Sequence, residues 1–247
     1  MNTKRKVIVL ARHGDTPIID GIRQDAVTNA SIKRLYESVG DSLVSYVQDN
    51  DVTAQRSFLR HSDKKRTLYT GKAILAGTLG LQPLPQSYHD LDKLDFSGLD
   101  IQEHSGLGYE GTKYNEPVLL KNPEDYLIRW FTNPEATTYE GVEITPYKEV
   151  IETGRKTLVD ALEVAIDGNK DLGVLATHAS IVEALTLAAI NSAKETPAVS
   201  FDEFGGMFER EGFATIFLDQ KEKAGTYQAR LERDGKSYKI DIANLGF

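Results

Sequence analysis

Lys6-Val7-Ile8-Val9-Leu10-Ala11-Arg12-His13-Gly14-Asp15-Thr16 is the stretch that decides how this chain is read. Val7–Ala11 is an unbroken apolar run rich in β-branched residues, the pattern of a strand buried on both faces. It leads without a gap into an arginine and a histidine. Leu172–Ala176 does the same and ends in Thr177-His178. Between and after these runs the apolar residues recur three to four apart. That spacing predicts helices over Ser31–Gln48, over Arg66–Leu79 with Gly80 as its stop, and over Tyr147–Ile166 ending near Gly168. Ile181–Ala193 reads as an apolar helix that stops before Pro197. Ala214–Leu218 and Tyr227–Asp241 are strand-like, and Asp234-Gly235 is a hairpin signal. This order predicts an α/β three-layer sandwich, a mostly parallel central sheet with helices on both faces. Residues 99–142 carry Gly, Pro and aromatics but no long periodic segment. They are expected to form a lid or cap inserted in one domain spanning 1–247.

Composition narrows the function. The 247 residues hold 29 Lys plus Arg and 37 Asp plus Glu, so the net charge is 29 − 37 = −8. That balance argues against a broad basic surface and hence against nucleic acid as partner. The absence of cysteine removes disulfides, thiolate metal sites and a cysteine nucleophile. No apolar run approaches the roughly 18 residues of a membrane span. The basic start, Met1–Lys6, precedes only five apolar residues, too few for a signal peptide. The expectation is a cytoplasmic protein that neither spans a membrane nor binds nucleic acid.

In an open α/β sheet, ligands bind beyond the carboxyl ends of the strands. Two central parallel strands would carry His13 and His178 to one crevice. Neither has a metal-like partner at i+2 or i+4, so no metal site is suggested. His61, His89 and His104 read as satisfied structural histidines. Arg12 adds a fixed cation, and Gly14 would let the backbone approach a ligand. Arg66 opens its helix, where a cation is poorly placed for the helix dipole, and an anion sitting there would relieve that penalty. Two arginines and two histidines make a site for a small dianion, and phosphate suits the paired donors of arginine. A neutral imidazole aimed at phosphorus can act as a nucleophile.

These residues resemble a known pattern. Arg12-His13-Gly14-Asp15-Thr16 after an apolar strand is similar to the Arg-His-Gly-x-Thr/Ser signature of the histidine phosphatase superfamily, the phosphoglycerate-mutase-like fold. Ser62-Asp63-Lys64-Lys65-Arg66-Thr67 with Tyr69-Thr70-Gly71 resembles its second arginine segment. Gly141-Val142-Glu143 resembles the Gly-x-Glu before its long late helix, and Thr177-His178-Ala179 its Ser-His-Gly. The blocks keep the family's order over nearly the whole chain. The resemblance implies His13 as phosphoryl-accepting nucleophile, with Arg12, Arg66 and His178 holding phosphoryl oxygens. It further places Thr16, Glu143 and Ala179 at the substrate and calls for neither metal nor cofactor.

Two departures stand out. Aligning Leu91, Phe96 and Gly98 with the family's Leu-x-Glu-x-x-Phe/Tyr-Gly block puts Lys93 where the acidic Glu is expected. In an extended segment Asp95 lies on the same side as Lys93 and could replace the acid. Glu103 from the insertion could do so too, or Lys93 could itself bind phosphate. The second departure is Ile19, an apolar residue where the family often has Asn. The leading reading is a metal-independent phosphomonoesterase that acts through phosphohistidine on a small phosphorylated metabolite, as a monomer or homodimer. A phosphoglycerate-type mutase is the alternative enzyme. The non-enzymatic alternative, resting on Lys93, is a catalytically weak or inactive binder of phosphorylated ligands. In the insertion, Lys113, Lys121 and Arg129 could hold a second anion and Tyr109, Tyr114 and Trp130 a ring, but a lid with a small core of its own is the expected role of most of them.

Overall fold

A computed structural model describes residues 5–108, 123–193, 206–221 and 225–247. Strand β1 (Arg5–Arg12) leads into a two-stranded hairpin, β2 (Ile18–Ile19) and β3 (Ile22–Arg23). Helix α1 (Asn29–Arg34) is capped by the Thr28 hydroxyl, which accepts from Ser31 N–H. It continues through a π-helical turn, Leu35–Val39, into α2 (Gly40–Asp49). Then come β4 (Ser57–His61), α3 (Lys65–Thr78), the short α4 (Tyr88–Leu91) and β5 (Asp100–Glu103). Helix α5 (Pro123–Thr132) and the hairpin β6 (Thr138–Tyr139) and β7 (Val142–Glu143) precede α6 (Tyr147–Ile166). The chain closes with β8 (Leu172–Thr177), α7 (Ile181–Asn191), β9 (Phe213–Gln220), β10 (Tyr227–Arg233), β11 (Lys236–Ile240) and α8 (Ile242–Leu245).

The seven-stranded sheet has the order β11-β10-β9-β1-β8-β4-β5. From β1 to β5 the neighbours are parallel; from β1 to β11 they are antiparallel. The sheet is therefore mixed, with its parallel strands on one side of β1 and its antiparallel strands on the other. Val7, Val9 and Ala11 point into one core and Ile8 and Leu10 into the other, and all five are fully buried. That explains the unbroken apolar run. One core packs α1, α2, α3 and α4 on the sheet; the other packs α6, α7 and the inner face of the antiparallel wing. The wing's opposite face, by contrast, carries charge. Arg230 pairs with Asp219 and Glu232, and its guanidinium sits 4.4 Å from the Phe217 ring.

Several expectations shift in detail. The helix expected over 31–48 contains the π turn, which brings the Tyr36 carbonyl against Gly77 of α3. The stretch expected as an insertion opens with β5, the sheet's edge strand, so 100–103 belong to the sheet because they pair with Phe58–His61. Trp130 and Tyr139 from the same stretch are buried in the α6–α7 core. Trp130 stacks near Tyr147 and donates to the Thr145 carbonyl, so it is a packing residue, not a platform for a ligand ring. Arg129 lies over Tyr139. Tyr109, Lys113, Tyr114 and Lys121 lie outside the described residues. Among those described, no helix is long and apolar enough to cross a membrane.

A Cβ at Gly77 would lie 2.0 Å from the Tyr36 carbonyl oxygen, a backbone atom that cannot swing away. Gly77→Ala should lower the denaturant midpoint, because overpacking of about 1–3 kcal/mol outweighs the roughly 1 kcal/mol helix gain. An unchanged or higher midpoint would contradict this packing.

Candidate active site

The register of β1 on β8 pairs Arg12 with Thr177. One residue further, each strand presents a histidine at the same end of the sheet. His13 N–H donates to the Thr177 carbonyl at 2.8 Å, and the two imidazoles meet edge-on, centroids 5.2 Å apart with an interplanar angle of 70°. His13 Nδ1 lies 2.7 Å from the Gly14 carbonyl. A carbonyl only accepts, so Nδ1 carries the proton and Nε2 presents a lone pair. His178 Nε2 is held 2.9 Å from Ser62 Oγ, itself bonded to Thr67.

Burial, and then the Arg66, Arg12 and Arg210 guanidiniums, pull His13 from its ordinary 6.5 down to about 4, against the opposing bond to Gly14. Burial, followed by His13 and the same cationic neighbourhood, lowers His178 further, to about 2. Both rings are thus neutral near pH 7.

Arg12 donates to the Phe208 carbonyl, and Glu183, fully buried, receives the Phe208 N–H. Burial raises the Glu183 carboxyl, with Arg12 and Arg233 opposing that shift. Arg66 stands in the first turn of α3. The Nε atoms of Arg12 and Arg66 are buried and bond to nothing among the described residues. The anion expected at the α3 N-terminus is supplied by the chain itself. The Asp25 carboxylate accepts the N–H groups of Lys65 and Arg66 at 3.1 and 3.3 Å and lies 3.6 Å from the Arg66 guanidinium. It offsets the helix dipole and fixes Arg66. Gly14 also has a different role from the one expected. A Cβ there would lie 2.9 Å from Ser31 Cβ and 3.0 Å from Val27, so the glycine admits α1 and its leading loop rather than a ligand.

The structure corrects the placing of the acid. Residues 88–94 are helix and turn, so Lys93 and Asp95 do not share the face of an extended segment. Lys93 is exposed and pairs with Asp90 at 3.0 Å. Asp95 is exposed and accepts the Ser97 N–H at 2.8 Å, and its bonds to Ser97 hold it below the usual carboxylate range. Both precede the start of β5, at the far end of the strand from the histidines. Glu103, at the end of β5 opposite His61, does reach the cavity beside the histidines. Glu103 shares with His178 a cavity of about 510 Å³, lined also by Asp63, Lys64, His104, Ser105 and Gly108. His104 is occupied at both ring nitrogens, by Asp160 at 3.0 Å and by Gly106 N–H at 3.1 Å. Asp63 pairs with Lys64. The Glu103 carboxylate pairs with no described residue. Ile101-Gln102-Glu103, an apolar-x-Glu triplet with Gly106 after it, was the signal available in the sequence.

Thr16 is buried just after the nucleophile turn, and Ala179 is half-buried beside His178. Glu143 is exposed in β7, paired in register with Thr138. His61 Nδ1 bonds the Ser62 carbonyl, and the His89 ring stacks on Tyr88. Sequence reasoning missed Asp25 and Arg210. Arg210 donates to Asp15 at 2.7 Å; Asp15 also pairs with Arg34, which binds Glu211. Glu209-Arg210-Glu211 carries no sequence signal beyond its charge. Among the described residues no group of three His, Asp or Glu gathers to hold a metal.

No family model and no curated protein sequence matches the chain. Solved structures do. A mycobacterial glucosyl-3-phosphoglycerate phosphatase, solved with VO3, aligns with a TM-score of 0.54 at 16% identity, covering 93% of this chain and 98% of that one. A protein titled mycobacterial hydrolase 1 aligns with a TM-score of 0.54 at 15% identity over 95% of this chain and 99% of its own. A second, mycobacterial hydrolase 2, gives 0.52 at 15% over 100% and 96%. The chain shares the fold of these phosphatase and hydrolase structures.

Because the folded value of His13 lies below the unfolded one, its contribution to stability is complete above about pH 6.5 and is lost as pH falls toward 4. Wild type should lose more stability than His13→Gln over that window, by at most about 3 kcal/mol in denaturant melts. Equal acid sensitivity of the two proteins would count against a buried neutral imidazole.

Proposed function

We propose that the chain is a phosphomonoesterase that works through a phosphohistidine. The observation that carries the reading is the pairing of a His13 Nε2 lone pair with two buried guanidinium Nε groups that lack partners among the described residues. In the first step Nε2 attacks phosphorus in line and the P–O ester bond breaks. Arg12, Arg66 and His178 hold the equatorial oxygens as charge spreads over them. Glu103 gives its proton to the departing alkoxide. In the second step water attacks the phosphohistidine, Glu103 takes a proton from it, and orthophosphate leaves with His13 neutral again. No step calls for a metal or a cofactor.

The mutase reading differs only in what accepts the phosphoryl group. The binder reading rested on Lys93 standing in for the acid. Glu103 at the cavity and Lys93 bonded to Asp90 outside it support the enzyme reading over the binder.

With chelator present, wild type should release orthophosphate from both an activated aryl phosphate and a simple alkyl phosphate, and His13→Ala should abolish both. Glu103→Gln should cost about 10²–10⁴ in kcat on the alkyl ester, whose leaving group needs a proton, and little on the aryl ester. Lys93→Ala should leave both unchanged. An equal loss on both esters would remove Glu103 as proton donor. Phosphate binding without turnover would return the reading to the binder, and an isomeric ester without orthophosphate would point to the mutase.

A further inference from the structure

Helix α7, Ile181–Asn191, is apolar along its length except for a single ionisable residue, Glu183. That residue is fully buried. A carboxyl group withdrawn from water costs free energy unless it is bonded, and an apolar side chain would fill the same place without that cost. Glu183 accepts the Phe208 N–H at 2.9 Å, and its second oxygen is buried with no partner among the described residues. The carboxyl group is therefore to be explained by what it holds.

Phe208 is the residue that places Arg12. Its carbonyl accepts from Arg12 Nη1. A guanidinium is planar, so fixing one N–H sets the plane in which the others point, including the buried Nε. The segment carrying Phe208 is fastened to β1 further along, where Arg12 N–H donates to the Gly212 carbonyl at 3.0 Å. Between them Gly212 N–H closes a turn on the Glu209 carbonyl at 2.8 Å. Arg233 lies 3.8 Å from the Phe208 ring and donates to the Gly206 carbonyl at 3.0 Å. These contacts hold the ring and the neighbouring residues, whereas Glu183 holds the Phe208 backbone itself. β8 ends at Thr177 and α7 begins at Ile181, so the junction that delivers His178 to His13 also delivers Glu183. Resting on the phosphatase reading, we propose that Glu183 is a positioning residue, which aims the Arg12 guanidinium at the phosphoryl group by accepting the Phe208 N–H.

The test is a double-mutant cycle read in binding, so that it stands apart from turnover. Dissociation constants for inorganic phosphate are measured by calorimetry for wild type, Glu183→Leu, Glu183→Gln, Arg12→Ala and the Glu183→Leu, Arg12→Ala double variant. Denaturant melts show that each is folded, and Glu183→Met is made alongside Glu183→Leu so that a packing fault peculiar to one does not decide the outcome. Arg12→Ala should weaken phosphate binding. Glu183→Leu should weaken it by about three- to thirtyfold where Arg12 is present, and by less than about twofold where it is absent. Glu183→Gln keeps an oxygen for the Phe208 N–H and should bind phosphate as wild type does. An equal loss from Glu183→Leu in both backgrounds is a general structural effect and overturns the proposal. So does the absence of any loss with Arg12 present. A Glu183→Gln variant as weak as Glu183→Leu also overturns it, because charge and not the bond to Phe208 would then be at work. All three results leave the phosphoryl site standing. Failure of phosphate to bind wild type, or binding by Arg12→Ala as tight as by wild type, overturns that site and this proposal with it.

Discussion

The parallel register of β1 on β8 is the constraint on which the site depends. Arg12 faces Thr177 in that ladder, so the next residue of each strand is a histidine and the two rings meet. Side chains alternate along a strand, and a slip of one residue would turn one ring away from the other. The register is held by more than backbone bonds. Val7, Val9 and Ala11 are buried on one face and Ile8 and Leu10 on the other. A slip would exchange these sets between two differently shaped cores. Gly173 of β8 fits under Phe58 of β4, where a Cβ would lie 2.2 Å from the ring. Packing across three strands thus fixes where the two imidazoles stand.

Once the rings are brought together, the electrostatics follow from burial. A low-dielectric pocket beside guanidiniums disfavours a further positive charge, and both imidazoles stay neutral. The same cations that suppress protonation give the pocket its positive field. Asp25 makes this arrangement stable before any ligand arrives, because it satisfies the α3 N–H groups and orients Arg66 from the side. The Lys65 and Arg66 N–H groups at the helix terminus are thereby already occupied.

What could be read from the sequence was what lies along the chain. β1 and β8 announce themselves as apolar runs, and the histidines follow each run directly. The α3 stop at Gly80, at φ +65°, and the Asp234-Gly235 turn, at φ 50° and 74°, were legible because the left-handed region restricts residue choice. What failed was pairing across the chain. The block anchored on Leu91, Phe96 and Gly98 left the acid open between Asp95 and Glu103, because which acidic residue lies near the histidines depends on which segment becomes the edge strand. β5 has only four residues, and it forms because β4 offers a free parallel edge. Asp25 and Arg210 were invisible for the same reason, since their partners lie 40 or more residues away. Gly14 was assigned to a ligand when its neighbours are Ser31 and Val27, atoms that only the folded loop brings near.

The antiparallel wing is more than an extension of the sheet. Phe208 and Arg210 lie in the loop that leads into β9. The Phe208 carbonyl accepts from Arg12, and its N–H is held by Glu183 of α7, five residues after His178. The Arg233 guanidinium, from the end of β10, stacks 3.8 Å from the Phe208 ring. One phenylalanine therefore joins the wing, the α7 helix and Arg12. Arg12 cannot be placed by β1 alone, because a strand end fixes the direction of a long side chain but not its tip. The tip is set by a carbonyl that arrives from nearly two hundred residues later in the chain. The parallel strands bring His13 and His178 together, and the wing fixes the guanidinium that stands beside them.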